Sequence, residues 1–323
     1  MNIGVNVGYS AVKAVCGERR VTFPSVVGTP DKAAFSLNGD SALVLVQPAH
    51  VLVGDEAVEQ SRFIYPREDR AWIESEEWTY LFVTALTELS STPHDSAVRV
   101  VTGLPVAFYS DAEKLAGRLL GDHRVQREGR QAQLFHIADV RVVPEAFGTV
   151  FAAAFNDQGK AVDQALLTGT VGVIDLGGKT TNLLSVRRCS QVNRETASVN
   201  VGAWAAVRAV QAELAQRFPG LEELRAHQVM DAVIARKVRY YGDDVDLRGI
   251  VEDTLRPLAK QVLAEATRLW NGGATLDRIL VAGGGALLLG SYIEEHFPHA
   301  QVIPDPVFAN ALGFWRFGQR VWR

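Results

Sequence analysis

Cysteine and methionine are scarce in this 323-residue chain, with two of each. Cys16 and Cys189 cannot build a disulfide framework or a thiolate metal cluster, and so few thiols fit a reducing compartment. Lysine is also rare, seven of the 33 Lys and Arg, and 37 acidic side chains leave a formal net charge of only −4. No global basic field therefore steers the chain to nucleic acid. No run approaches the ~18–20 apolar residues that a membrane span needs. The start, Met1-Asn2-Ile3-Gly4-Val5, lacks the charged and long apolar regions of a secretory signal and reads as an immediate buried strand. These absences make a cytoplasmic protein with no membrane span and no direct nucleic-acid contact the expectation. Hydrophobic residues at 47% and charged residues at 22% exclude wholesale disorder. At ~100–200 residues per domain, the length predicts two domains.

What is present is a duplication. Val5-Asn6-Val7-Gly8-Tyr9-Ser10-Ala11-Val12-Lys13 resembles Ile174-Asp175-Leu176-Gly177-Gly178-Lys179-Thr180-Thr181-Asn182, half a chain later. Each is an apolar strand with one carboxamide or carboxylate, then a Gly-containing turn and another β-rich run. Val21 to Pro24 and Val192 to Val199 read as the third strand of each unit. The spacing then predicts short strands at 42–46 and 51–53, a helix over 76–92, a buried strand Val98–Thr102 and a helix from Asp111. A strand Ile137–Val143 leads into a helix opened by Pro144-Glu145. The second half repeats the order: a helix over 202–217, a polar stretch 218–249, a helix over 250–270, a strand Arg278–Ala282 and a helix to about Phe297. A short strand at 301–303 precedes a last helix from Phe308. Strands followed by alternating helix and strand, twice, predict two mixed α/β lobes. The first covers 1–155 with an insertion at about 31–75. The second covers 156–307 with an insertion at about 218–249, and a C-terminal helix over 308–323 returns to the first.

Two turns whose amides converge can clamp a polyphosphate, and their glycines let the anion approach the backbone. Gly8, Tyr9 and Ser10 form the first turn; Gly177, Gly178, Lys179 and Thr180 form the second. Lys13 can add a point charge, and Asp175 with Asn6 can hold a hydrated Mg²⁺ through its waters. Each turn alone reads more readily as an ordinary hairpin; their pairing points to function. Gly283-Gly284-Gly285 between a strand and a helix is a third ligand-shaped turn. The Walker A pattern fails because Val173 stands at its first glycine, and the dinucleotide fingerprint fails at Leu288.

Asn6-x-Gly-x-x-x-x-Lys13, Pro144-Glu145-Ala146, Asp175-Leu-Gly-Gly-Lys-Thr-Thr, Ala282-Gly-Gly-Gly and Ala309-Asn310-Ala311-x-Gly313 occur in one order. That order resembles the actin and DnaK-type ATPase superfamily, and most of all prokaryotic actin-like proteins of the ParM and archaeal type. The resemblance spans nearly the whole chain. It implies an actin-like ATPase fold, two related RNase H-like lobes flanking a cleft for ATP and Mg²⁺, with GTP as an alternative nucleotide. It further implies self-assembly into nucleotide-dependent filaments serving DNA segregation or cell organisation, with a DNA-bound adaptor protein as partner. By position, Lys13 would contact phosphates, Glu145 would orient the attacking water, Asp175 would hold the metal, and Gly283 to Gly285 would flank the adenosine. Lys237 is a further candidate for a ribose or base contact, against a solvated helix face as the plain alternative. Family members usually carry Asp where this chain has Asn6, which implies slower hydrolysis. Competing readings are a small-molecule kinase of the same superfold and a non-polymerising nucleotide-binding scaffold.

Other features have bland readings. His296 and His299 near Glu294 and Glu295 read as surface residues rather than a metal site. The aromatic, basic C-terminus from Phe314 to Arg323 reads as a helix packed on the first lobe rather than on a membrane. Trp72, Trp78 and Phe63-Ile64-Tyr65 flank the first insertion, a natural place for subunit contacts, with core packing as the alternative reading.

Overall fold

The computed structural model describes residues 1–29, 43–46, 49–61, 70–90, 94–128 and 130–322. Phe63, Ile64 and Tyr65 lie outside the described residues. Two compact units emerge, Met1–Val162 with Asn310–Arg323, and Asp163–Ala309.

The first unit opens with three antiparallel strands, β1 (Asn2–Val7), β2 (Ala11–Cys16) and β3 (Arg19–Pro24), then β4 (Val27–Gly28), β5 (Leu43–Val46) and β6 (Ala49–Val53). Helices α1 (Asp55–Gln60) and α2 (Glu76–Leu89) follow, then β7 (His94–Leu104), α3 (Ala112–Leu119), β8 (Gly121–Arg127), β9 (Gln133–Pro144) and α4 (Phe147–Ala154). The sheet order is β3-β2-β1-β7-β9-β8-β5-β6-β4. Its two outermost strands, β3 and β4, are consecutive in the chain. Laid flat, nine strands at a spacing of about 4.8 Å would separate them by roughly 38 Å. The two-residue link Ser25-Val26 reaches only about 10 Å, so the sheet must curl on itself. A hydrogen bond from Gly54 N to Val26 O (2.9 Å) fastens the closure.

Helix α2 fills the concave side. Ser75 caps it, accepting a hydrogen bond from Trp78 N at 3.2 Å, and Glu76 and Glu77 in the first turn suit the positive end of the helix dipole. Leu81, Phe82, Leu86 and Leu89 are fully buried beside Ile3, Val5, Val12 and Ala14, and Trp78 stacks on Phe82 at 5.5 Å. Each such side chain contributes about 1.5–3 kcal/mol by leaving water. Trp72 and Trp78 are likewise buried in this core.

The second unit contains α5 (Gln164–Thr168), β10 (Thr170–Leu176), β11 (Thr181–Arg187), β12 (Ser190–Gln191), β13 (Ala197–Val199), α6 (Ala203–Arg217) and α7 (Ala226–Ala235). A hairpin of β14 (Lys237–Tyr240) and β15 (Asp243–Asp246) precedes α8 (Arg248–Leu269), β16 (Arg278–Ala282), α9 (Ala286–His296) and β17 (Ala300–Val302). Its sheet runs β12-β11-β10-β16-β17. This repeats β3-β2-β1-β7-β9 of the first unit, with the central strand antiparallel to one neighbour and parallel to the other in both. The duplication read from the sequence is thus a duplication of topology. One detail differs: the expected strand Val192–Val199 is split by a 3₁₀ turn at Asn193–Glu195, leaving only β13 paired to β11. The polar stretch 218–249 also holds more order than expected, namely α7 and the hairpin.

The chain then returns to the first unit through α10 (Ala309–Val321). Phe314 and Trp315 of this helix are buried, and glycines permit backbone-level contact. A Cβ on Gly4 of β1 would lie 2.1 Å from Ala311 O, and one on Gly103 of β7 2.4 Å from Phe314 Cζ. Thr149 Oγ1 donates to the Oδ1 of buried Asn310 at 2.9 Å. Among the described residues no helix is long and apolar enough to cross a membrane.

Candidate functional site

In open α/β sheets, ligand groups gather beyond the carboxyl ends of parallel strands, and each unit places its candidate residues there. In the first unit β1, β7 and β9 are adjacent and parallel. Asn6 lies near the end of β1 and Glu145 directly after β9, its N–H donating to Leu104 O at 2.8 Å. Lys13 sits on β2 directly across from Asn6, on the same sheet face, with Nζ donating to Ala11 O at 3.2 Å. Pro144 ends β9 rather than opening a helix; α4 begins only at Phe147, which leaves Glu145 and Ala146 in a turn.

The turn Gly8-Tyr9-Ser10 is held from behind. Ser25 Oγ donates to Gly8 O at 2.5 Å and Ser25 N donates to Ser10 O at 3.1 Å. A trans peptide carries its C=O and the following N–H on opposite sides. With the Gly8 and Ser10 oxygens fixed on Ser25, the Tyr9 and Ala11 N–H groups are aimed the other way.

The second unit repeats the device with different parts. Ala203 N donates to Gly177 O and Trp204 N to Gly178 O, both at 2.9 Å, so the first turn of α6 anchors the carbonyls. The Gly178 and Lys179 N–H groups therefore face away from α6. Gly202 allows the approach, since a Cβ there would sit 2.5 Å from Gly178 O. Gly177 N closes the turn onto Thr180 O at 2.9 Å, and the buried Thr181 hydroxyl donates to Val201 O at 2.6 Å. Lys179 is exposed at the tip.

Asp175 is 5% exposed at the end of β10, beside Ala282 of parallel β16. The Gly283-Gly284-Gly285 turn packs directly against it. Gly283 has φ +86, and a Cβ there would lie 2.3 Å from Leu176 O and 2.7 Å from Asp175 Oδ1. Gly285 N donates to Leu176 O at 2.8 Å, and Gly284 faces open space. The second unit thus joins Asp175, the Gly177–Thr180 turn and the triple glycine. A buried carboxylate at a strand end is a hard oxygen ligand of the kind Mg²⁺ takes in ones or twos, so this residue fits that cation.

Lys237 lies apart from the Gly177–Thr180 turn in the chain of the second unit. It opens the β14–β15 hairpin rather than a helix face, and its Nζ pairs with Asp244 Oδ2 at 2.7 Å, which holds the Asp244 carboxyl below its usual range. On α9, burial and a 2.7 Å hydrogen bond to Glu252 push the Tyr292 phenol up to about 12. Glu294 accepts from Val302 N, His296 contacts Thr267, and His299 contacts Gly273 O. Among the described residues no three His, Cys, Asp or Glu gather as metal ligands. Sequence reasoning missed Ser25 and Gly202, which act through carbonyls far away in the chain.

Comparison with known proteins bears on the family and the fold. Residues 4–148 match the family described as actin-like proteins, N-terminal domain, and residues 173–295 match the archaeal actin homologue MreB-like C-terminal family. No curated protein matches the chain in sequence. Among solved structures, an archaeal actin homologue in complex with ADP is 20% identical with a TM-score of 0.81, each chain 99% covered. The 15-stranded ParM filament from Clostridium botulinum is 23% identical with a TM-score of 0.77, again with 99% of each chain covered. ParM from Bacillus thuringiensis with ADP is 16% identical with a TM-score of 0.75, covering 98% of this chain and 97% of that one.

Proposed function

The chain belongs to the actin-like proteins, and from that premise we propose that it is a cytoplasmic ATPase that binds ATP with Mg²⁺ and assembles into filaments of its own copies. Plasmid or DNA segregation through a DNA-bound adaptor is the task this reading favours. The observation that carries it is the pair of anchored turns. Both have their carbonyls tied back, by Ser25 in one unit and by the start of α6 in the other, and both aim N–H groups outward. Fixed backbone donors of this kind stabilise phosphate charge without reorganising.

In this reading Gly8, Tyr9, Ser10 and Lys13 of one unit, and Gly177, Gly178, Lys179 and Thr180 of the other, hold the polyphosphate. Asp175 holds the hydrated cation, which when bound neutralises charge developing on the phosphates. Glu145 accepts a hydrogen bond from the attacking water and orients it. Gly283 to Gly285 flank the nucleoside. The ADP in the archaeal actin homologue and in the Bacillus thuringiensis ParM, and the filament of the Clostridium botulinum ParM, support the reading.

High-speed pelleting with Mg²⁺, followed by phosphate release in the same samples, tests it. We expect pelleting that requires ATP, with release rising as polymer forms. No pelleting across a wide concentration range would remove the filament, and phosphate transfer to a metabolite would replace it with a kinase.

The triple glycine offers a separate test. Among the described residues beyond its chain neighbours, Gly284→Ala meets no atom within 4 Å, and it keeps an ordinary backbone angle, so folding stability should change by no more than about 0.5 kcal/mol. Affinity for ATP should nevertheless fall about tenfold, because the added methyl enters the space of the nucleoside. Unchanged affinity, measured by calorimetry, would place the nucleoside elsewhere.

A further inference from the structure

Asn6 is 7% exposed, and its carboxamide has no hydrogen-bond partner among the described residues. The amide tip is not sealed off: it is the part of this otherwise enclosed side chain that still meets solvent, an unpaired polar group open to a ligand. The alternation of β1 puts Ile3 and Val5 into the core beneath α2, so Asn6 faces the opposite side of the sheet. There it stands across from Lys13 and two residues before the Gly8-Tyr9-Ser10 turn. Neither β1 nor β2 contains an Asp or Glu. The side chain is an amide with two N–H donors on one end and one oxygen on the other. As a ligand for Mg²⁺ through water, a neutral amide oxygen is poor beside a carboxylate. As a donor to an ionised phosphate, which offers only acceptors, the amide is well suited, and such charge-assisted bonds are the strong ones.

We infer that Asn6 donates Nδ2–H directly to a phosphate oxygen of the bound nucleotide, so that binding leans less on Mg²⁺ than a carboxylate at this position would require. This rests on the nucleotide-binding reading above, and it replaces a contact to the metal's water with a contact to the phosphate itself.

The test is titration of a fluorescent ATP analogue with Mg²⁺ and, separately, with EDTA, using wild type, Asn6→Leu and Asn6→Asp. Nucleotide-free melting is recorded for each protein. Wild type should bind under both conditions, losing less than about tenfold in EDTA. Asn6→Leu, close to the amide in shape, should lose about tenfold or more in both, as expected for removing a donor to a charged group. Its nucleotide-free melting temperature should hold, because the amide makes no hydrogen bond within the described fold. Asn6→Asp should lose about a hundredfold in EDTA and regain most of it with Mg²⁺.

Asn6→Leu binding within twofold of wild type overturns the inference, as does wild-type binding that vanishes in EDTA. A fall in the nucleotide-free melting of Asn6→Leu would make Asn6 a structural residue. Asn6→Asp responding to EDTA no more than wild type would also overturn it. Should Asn6→Leu not fold, Asn6→Ala removes the donor without added bulk and carries the same expected loss. Wild type that binds under neither condition sinks the nucleotide reading itself, which is a different failure.

Discussion

Gly313→Ala should unfold the first unit at temperatures where the wild type is intact, costing about 3 kcal/mol or more. A Cβ at Gly313 would lie 1.7 Å from Gly148 O, 2.6 Å from Gly148 C and 2.8 Å from Ala152 N. All three atoms are backbone of α4, so no side chain can rotate away. Relief would require sliding α10 off α4. That same helix touches β1 through Gly4 and β7 through Gly103, and Phe314, fully buried, fills the space beside Gly103. Displacing α10 therefore opens several contacts at once. Gly117 of α3 supplies the control, since it has nothing within 4 Å of a built Cβ. Gly117→Ala should stabilise the protein by about 0.5–1 kcal/mol, from the lower helix propensity of glycine. Urea denaturation of both variants, with proteolysis of the C-terminal segment as a second probe, reads the contrast. Melting of Gly313→Ala within a degree or two of wild type would mean that α10 is not seated as described.

Gly313 also shows what the sequence reveals. Its place in Ala309-Asn310-Ala311-x-Gly313 was visible as a pattern, and the physical reason, two backbones in contact, needed the fold. The strand–turn–strand pair at Val5–Lys13 and Ile174–Asn182 was legible because buried strands are continuous apolar runs and their turns carry glycine. Strand β8 was not, since Val125 is its only buried side chain and Gly-Asp-His-Arg offers no apolar rhythm. The β14–β15 hairpin escaped for the same reason: Val238 alone is buried, and charge pairs such as Lys237 with Asp244 occupy the rest. Residues 192–199 carried a strand-like composition that the Asn193–Glu195 turn interrupts. Ser25 and Gly202 had no signal of their own. They matter through carbonyls at positions 8, 10 and 178, and only tertiary structure pairs those positions.

Asp175→Asn should leave the fold intact and remove most of the chemistry. The substitution keeps shape and one oxygen, so the packing of Gly283 against the side chain, 2.7 Å from a built Cβ to Oδ1, is preserved. What disappears is the negative charge of Asp175, which lies at the end of β10 against the triple glycine. Mg²⁺ is bound through one or two carboxylates together with substrate phosphates, and Asn6 supplies none on the strand pair of the first unit. In the proposed site, Asp175→Asn thus removes the carboxylate assigned to the cation. Phosphate release should fall about a hundredfold or more, the scale on which single electrostatic groups at phosphoryl-transfer sites act. Nucleotide affinity in EDTA should hardly change, because the lost group acts through the metal, whereas the gain in affinity on adding Mg²⁺ should largely vanish. This pattern is the reverse of that expected at Asn6, where the loss appears in EDTA as well. Titrations at several Mg²⁺ concentrations, run beside phosphate release, separate the two residues. If Asp175→Asn keeps its full Mg²⁺ response, the cation is held elsewhere, and the buried carboxylate serves the turn at Gly283 instead.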